Sequence, residues 1–95
     1  VNYVAVSPNP FNPSTSIRYR FVSGQKIFAG VYDARGKLVA NLSSFVKSGK
    51  PGEQVTGVIN WNGRDASNKV LASGLYIVRV ETGRSVLLSR MLMVK

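Results

Sequence analysis

Cysteine and histidine are both absent from this chain of 95 residues. Without cysteine there is no disulfide, no thiolate nucleophile and no thiolate metal site, and the redox state of the compartment stays open. Without histidine the usual zinc ligand and the usual acid–base group near neutral pH are missing. Acids are scarce: Asp33, Glu53, Asp65 and Glu81 are the four. Each sits in its own turn or strand end, and no two are spaced like the paired carboxylates of a glycosidase. Only Asp65 brings charge to its loop, against the roughly 6–8 oxygens that calcium takes. Serines and threonines are plentiful, with no imidazole to activate them. The expectation is no enzyme, no cofactor and no metal.

Long apolar runs are missing as well. None approaches the roughly 20 residues of a membrane helix, and no basic-then-apolar leader opens the chain. The first residue is Val1 rather than Met, which reads as a fragment of a larger product with any export leader upstream. Helical periodicity is poor throughout, and period-2 alternation recurs in its place.

What is present is apolar bulk and positive charge. An apolar share of 44% suits a folded module, and 95 residues allow one modest core, so residues 1–95 read as a single domain. Thirteen Lys and Arg against four acids give a formal charge of +9. They are spread from Arg18 to Lys95, which reads as the solvated faces of strands and loops. No nucleic acid is expected; an anionic surface polysaccharide is the partner whose charge fits. A shared basic stripe of Arg18, Arg20 and Arg79, with Arg90, depends on strand order.

Asn2 to Val6 reads as an edge strand. From Ser16 to Phe21, Ile17, Tyr19 and Phe21 share one face and Arg18 and Arg20 the other. Lys26 to Asp33 follows, with Ile27, Ala29 and Val31 inward. Asp33-Ala34-Arg35-Gly36 reads as a tight hairpin turn leading to a strand from Lys37 to Ser43 around Leu38, Val39 and Leu42. Val55 to Trp61 is the next strand, where Gly57 marks a bulge or a close backbone approach. Leu75 to Glu81 places Tyr76, Val78 and Val80 inward and Ile77 and Arg79 outward. Ser85 to Val94 is rich enough in apolar residues to predict burial of both faces over part of its length. About seven short strands joined by Gly, Pro and Asn turns predict an all-β, immunoglobulin-like antiparallel β-sandwich.

Several motifs have plain readings. Pro8-Asn9-Pro10-Phe11-Asn12-Pro13 cannot be a central strand, because its prolines lack backbone donors. It reads as a stiff lead-in whose asparagines bond local backbone while Phe11 plugs one end of the core. Trp61 reads as core, with a sugar-stacking platform shared with Tyr32 and Tyr3 as the alternative. Asp65 to Asn68 reads as a loop in which Asp65 accepts backbone N–H bonds and Asn68 is left-handed. Gly74 lets the chain bend into the following strand, and Tyr76 fills the core with its hydroxyl near one end.

Taken in order, Ser7-Pro8-Asn9-Pro10-Phe11-Asn12-Pro13-Ser14-Thr15, Val31-Tyr32-Asp33 with Gly36, Trp61-Asn62-Gly63-Arg64-Asp65, Ser73-Gly74-Leu75-Tyr76 and the terminal Arg90-Met91-Leu92-Met93-Val94-Lys95 form a set. That set resembles the type A C-terminal sorting domain of the type IX secretion system, a relative of the immunoglobulin-like module of flagellar hook-cap proteins. The resemblance runs from Val6 to the last residue. It implies a non-catalytic address that directs an N-terminal passenger domain through the outer-membrane secretion machinery of a Bacteroidetes-type bacterium. The product would be secreted or held at the cell surface, by way of the periplasm and outer membrane. The site residues it implies are Pro8, Asn9, Pro10, Phe11, Asn12, Pro13, Gly36, Trp61, Gly63, Gly74, Tyr76, Arg90, Met91, Leu92, Met93, Val94 and Lys95. Arg90 stands where the family usually has Lys, keeping the charge but not the shape of the headgroup. The long connection from Phe45 to Gln54 departs from shorter family members and is expected to lengthen one loop only. Two other classes remain open: a carbohydrate-binding or spacer module appended to a polysaccharide-degrading enzyme, and an interaction module that polymerises or caps an assembly.

Overall fold

The alternation from Thr15 to Val22 builds the strand around which one sheet forms. In the computed structural model, which describes residues 2–24, 26–47 and 49–94, Ile17, Tyr19 and Phe21 of this strand, β2 (Thr15–Val22), are buried while Arg18 is exposed. β2 lies between β1 (Tyr3–Ser7) and β5 (Gln54–Trp61) in a three-stranded sheet. A four-stranded sheet runs in the order β4 (Leu38–Asn41), β3 (Phe28–Asp33), β6 (Gly74–Glu81), β7 (Val86–Met93). Every pairing between these strands is antiparallel. The sheets close over one core, to which the first gives Ile17, Tyr19, Phe21, Val55, Ile59 and Trp61. The second gives Ala29, Val31, Ala40, Tyr76, Val78, Val80, Met91 and Met93. The fold is an antiparallel β-sandwich.

The turns follow from their chemistry. The Asp33 carboxylate accepts the N–H groups of Arg35 and Lys37, both at 2.9 Å, and Gly36 supplies the positive φ of 88° that closes the loop. Asp65 repeats the pattern with Ser67 and Lys69 at 2.9 Å, and Asn68 is left-handed at φ 64°. Gly57 marks a close approach rather than a bulge, because β2 and β5 pair without interruption from Thr15 to Val22. A Cβ at Gly57 would overlap the Tyr19 hydroxyl and lie 2.5 Å from its Cζ. That hydroxyl accepts the Lys47 N–H at 2.9 Å and anchors the long loop before β5.

In the strand expected around Leu38, Val39 and Leu42, the β3–β4 register shifts between Val31 and Tyr32, and a one-residue shift exchanges faces. Ala40 and Leu42 are buried, and Leu38 is 41% exposed, lying over Gly30 on the outer face. Two expectations are corrected. β7 is not covered on both faces, since Met91 and Met93 are buried while Val86, Leu88 and Leu92 stand in water. The basic stripe does not exist either. Arg18 and Arg20 belong to the three-stranded sheet, while Arg79 and Arg90 point outward from the four-stranded one, on the opposite side of the sandwich.

Candidate functional site

Pro8 and Pro10 have no N–H to give a ladder, yet this segment runs alongside the end of β7. Phe11 bridges Met93 in parallel fashion. The Phe11 N–H donates to the Leu92 carbonyl at 2.9 Å, and the Val94 N–H donates to the Phe11 carbonyl at 2.9 Å. Two residues earlier, a continued parallel ladder would need a donor for the Arg90 carbonyl and an acceptor for the Leu92 N–H. The Asn9 side chain supplies both. Its Nδ2 donates to the Arg90 carbonyl and its Oδ1 accepts from the Leu92 N–H, each at 2.9 Å. Asn9 therefore does not bond local backbone as expected; its carboxamide imitates a strand residue across the chain from β7. The Thr15 hydroxyl donates to the Pro8 carbonyl at 2.8 Å and ties the segment's start to β2. The X-Pro bonds before Pro8, Pro10 and Pro13 are cis.

Beneath this clamp the aromatic residues gather. Phe11 is 2% exposed and sits 5.7 Å from Trp61, centroid to centroid. Trp61 meets Tyr76 edge-on at 6.2 Å, and Tyr76 is opposite Met91 in the β6–β7 register. The polar ends of both rings are satisfied: Trp61 Nε1 donates to the Arg64 carbonyl at 3.2 Å and the Tyr76 hydroxyl to the Ala72 carbonyl at 2.7 Å. Burial pushes the Tyr76 hydroxyl above its usual pKa, with the negative charge of Asp33 adding to the shift. With Trp61 only 3% exposed and Phe11 and Tyr76 against it, it offers no free face for stacking on a sugar.

Gly63 locks the two layers together. It has φ 73°, and a Cβ there would lie 2.5 Å from the Pro13 carbonyl oxygen and 3.2 Å from Met93 Sδ. Gly74, opposite Met93, begins β6. So Asn9, Phe11, Pro13, Trp61, Gly63, Gly74, Tyr76, Arg90, Met91, Leu92, Met93 and Val94 share one end of the sandwich. Pro8, Pro10 and Asn12 line its exposed rim. Gly36 lies apart, in the β3–β4 turn beside an open groove with Tyr32, Ile77, Arg79 and Leu88. Lys95 lies outside the described residues.

Two features escape the sequence reading. The reach of Asn9 to residues 81 and 83 positions away is one; its only local signal is an asparagine flanked by prolines that leave donors missing. The other is the lateral approach of β1 to β7, which the Asn9–Phe11 segment continues as hydrogen bonds at the end of the strand. On the outer face of the four-stranded sheet, Glu81 lies beside Arg79 at 3.6 Å. That exposed pair contributes at most about 1 kcal/mol.

No family model matches the chain, and no curated protein matches it. Among solved structures it is similar to PorZ of Porphyromonas gingivalis, described as an essential bacterial surface component of the type IX secretion system. The TM-score is 0.65 at 26% identity, over 97% of this chain and 11% of that one. The chain thus spans only a small part of that protein's length.

Proposed function

We propose that this chain is a non-catalytic sorting domain that directs a passenger, joined at its N-terminus, through the type IX secretion system to the outer surface. The observation that carries the reading is the convergence of the motif. Segments separated by some eighty residues, from Asn9 to Val94, are hydrogen-bonded into one end of the sandwich. A domain whose role was only to fill a core would not need the exposed Asn9 carboxamide for that. The likeness to part of a type IX surface component points the same way. Recognition would act on a folded surface, with the passenger joint and the last strand presented side by side. The secretion machinery is then the partner, and the cell surface or medium the destination. A role as a glycan-binding module is disfavoured by the buried Trp61.

The test is export of a fluorescent reporter carrying residues 1–95 at its C-terminus and a standard leader at its N-terminus. The hosts are a strain with a working type IX system and a translocon-deficient one. Reporter outside the cell in the first host only is the expected result. Periplasmic retention in both would refute the sorting role.

A further inference from the structure

The outer faces of the two sheets differ in kind. On the three-stranded sheet Ser16, Arg18, Gln54, Thr56 and Asn60 point outward, the polar face that a solvated antiparallel sheet normally shows. The four-stranded sheet reverses this. Leu38, Leu75, Val86, Leu88 and Leu92 stand on its outer face, each at least 41% exposed. The register sets Leu92 beside Leu75, Arg90 beside Ile77 and Leu88 beside Arg79. Tyr32 lies opposite both Ile77 and Leu38, so the apolar surface crosses all four strands. Its charges are Arg79, Arg90 and Glu81, and no lysine occurs in any of the four strands. Aromatic residues and Arg with Lys depleted is the composition of interface centres, and a contiguous exposed apolar surface marks an interaction site. β1 lies against the lateral side of β7, so the face of this sheet is what stays accessible there.

We infer that the outer face of the four-stranded sheet docks a partner protein through an apolar surface that carries a carboxylate opposite Arg90. This rests on the sorting reading and names the surface that reading would use. Four strands about 4.8 Å apart make a face too broad for one extended segment. Charge then selects the partner. Arg79 already has Glu81 at 3.6 Å, whereas Arg90 has no carboxylate within pairing distance among the described residues. Leu88 and Leu92 flank Arg90 on its own strand and Ile77 lies across from it. Docking removes water from its guanidinium, which calls for a carboxylate to face it. A second copy brings +9 against +9, which opposes self-association. An anionic lipid surface would lie against Glu81 as well.

Three variants of the exported reporter test it. Leu75→Thr with Leu88→Thr removes apolar surface while keeping good strand formers at exposed positions; Arg90→Glu reverses the charge; Val58→Thr makes the same kind of change on the opposite, polar face. Melting temperatures of the purified fusions check the fold. The expected result is export reduced at least about tenfold by L75T/L88T and by R90E, and within about twofold of wild type for V58T, with similar melting temperatures. Should one of the first two variants unfold, the other carries the test alone. Wild-type export by L75T/L88T would overturn the docking face, and by R90E its acidic partner, each leaving the sorting role standing. Equal loss in V58T would overturn the assignment to this face. Sedimentation of the wild-type fusion as a dimer that L75T/L88T dissolves would assign the face to a second copy. Cosedimentation with phosphatidylglycerol vesicles that L75T/L88T abolishes would assign it to lipid. Either would overturn the protein partner. Absence of wild-type export would remove both readings together.

Discussion

Replacing Asn9 by alanine deletes two hydrogen bonds, Nδ2 to the Arg90 carbonyl and Oδ1 to the Leu92 N–H, each 2.9 Å long. A net hydrogen bond contributes about 0.5–1.5 kcal/mol. Both lie at the surface, where water takes over part of the lost interaction, so the pair should contribute about 1–1.5 kcal/mol. For a domain of this size about 1 kcal/mol moves the melting temperature by about 4–8 °C. Asn9→Ala should therefore melt about 4–12 °C below wild type when followed by circular dichroism. Asn12→Ala, at an exposed position of the same segment, should change stability by less than about 0.5 kcal/mol. Equal melting of Asn9→Ala and wild type, or equal losses in the two variants, would refute the claim that the Asn9 side chain serves as a strand residue.

Trp61→Ala should cost about 3–5 kcal/mol, because Trp61 joins Phe11 to Tyr76 at the sealed end; denaturant unfolding measures it. Gly63→Ala should cost about 2–4 kcal/mol, combining a left-handed backbone with overlap of the Pro13 carbonyl. Gly36→Ala, at φ 88° with nothing within 4 Å of its Cβ, should cost only the backbone strain of about 1–2 kcal/mol. The Tyr76 hydroxyl has a raised pKa in the folded state, so its contribution is complete below the unfolded value of about 10 and is lost as pH rises toward the folded one. Stability should fall in that alkaline range more steeply for wild type than for Tyr76→Phe, and parallel curves would contradict the shift.

Much of the fold was legible because it follows from local alternation. Ile17, Tyr19 and Phe21, like Tyr76, Val78 and Val80, are buried as their period predicts. The Asp33 and Asp65 turns follow from chemistry within four residues. What depends on non-local geometry was hidden. The shift opposite Tyr32 that turned Leu38 outward arises between two strands, and no single-strand pattern contains it. The apolar richness of β7 pointed to burial on both faces, but apolar residues also stand on exposed sheet faces. The site divides in the same way. Its residue types were visible in sequence, and Phe11 was placed correctly at the end of the core. The partnership of Asn9 with β7 was not, because an asparagine between prolines has local turn chemistry as its nearest explanation.

The account turns on one claim, that the opening and closing segments of the chain form a single surface in which Asn9 and Phe11 are hydrogen-bonded to the end of β7. Native-state hydrogen exchange at single amides measures this directly. The Leu92 and Val94 amides, bonded to Asn9 and Phe11, should exchange more slowly than those of Leu88 and Arg90 by about 100-fold or more. Exchange of Leu92 as fast as Leu88, or equal protection of all four, would contradict it.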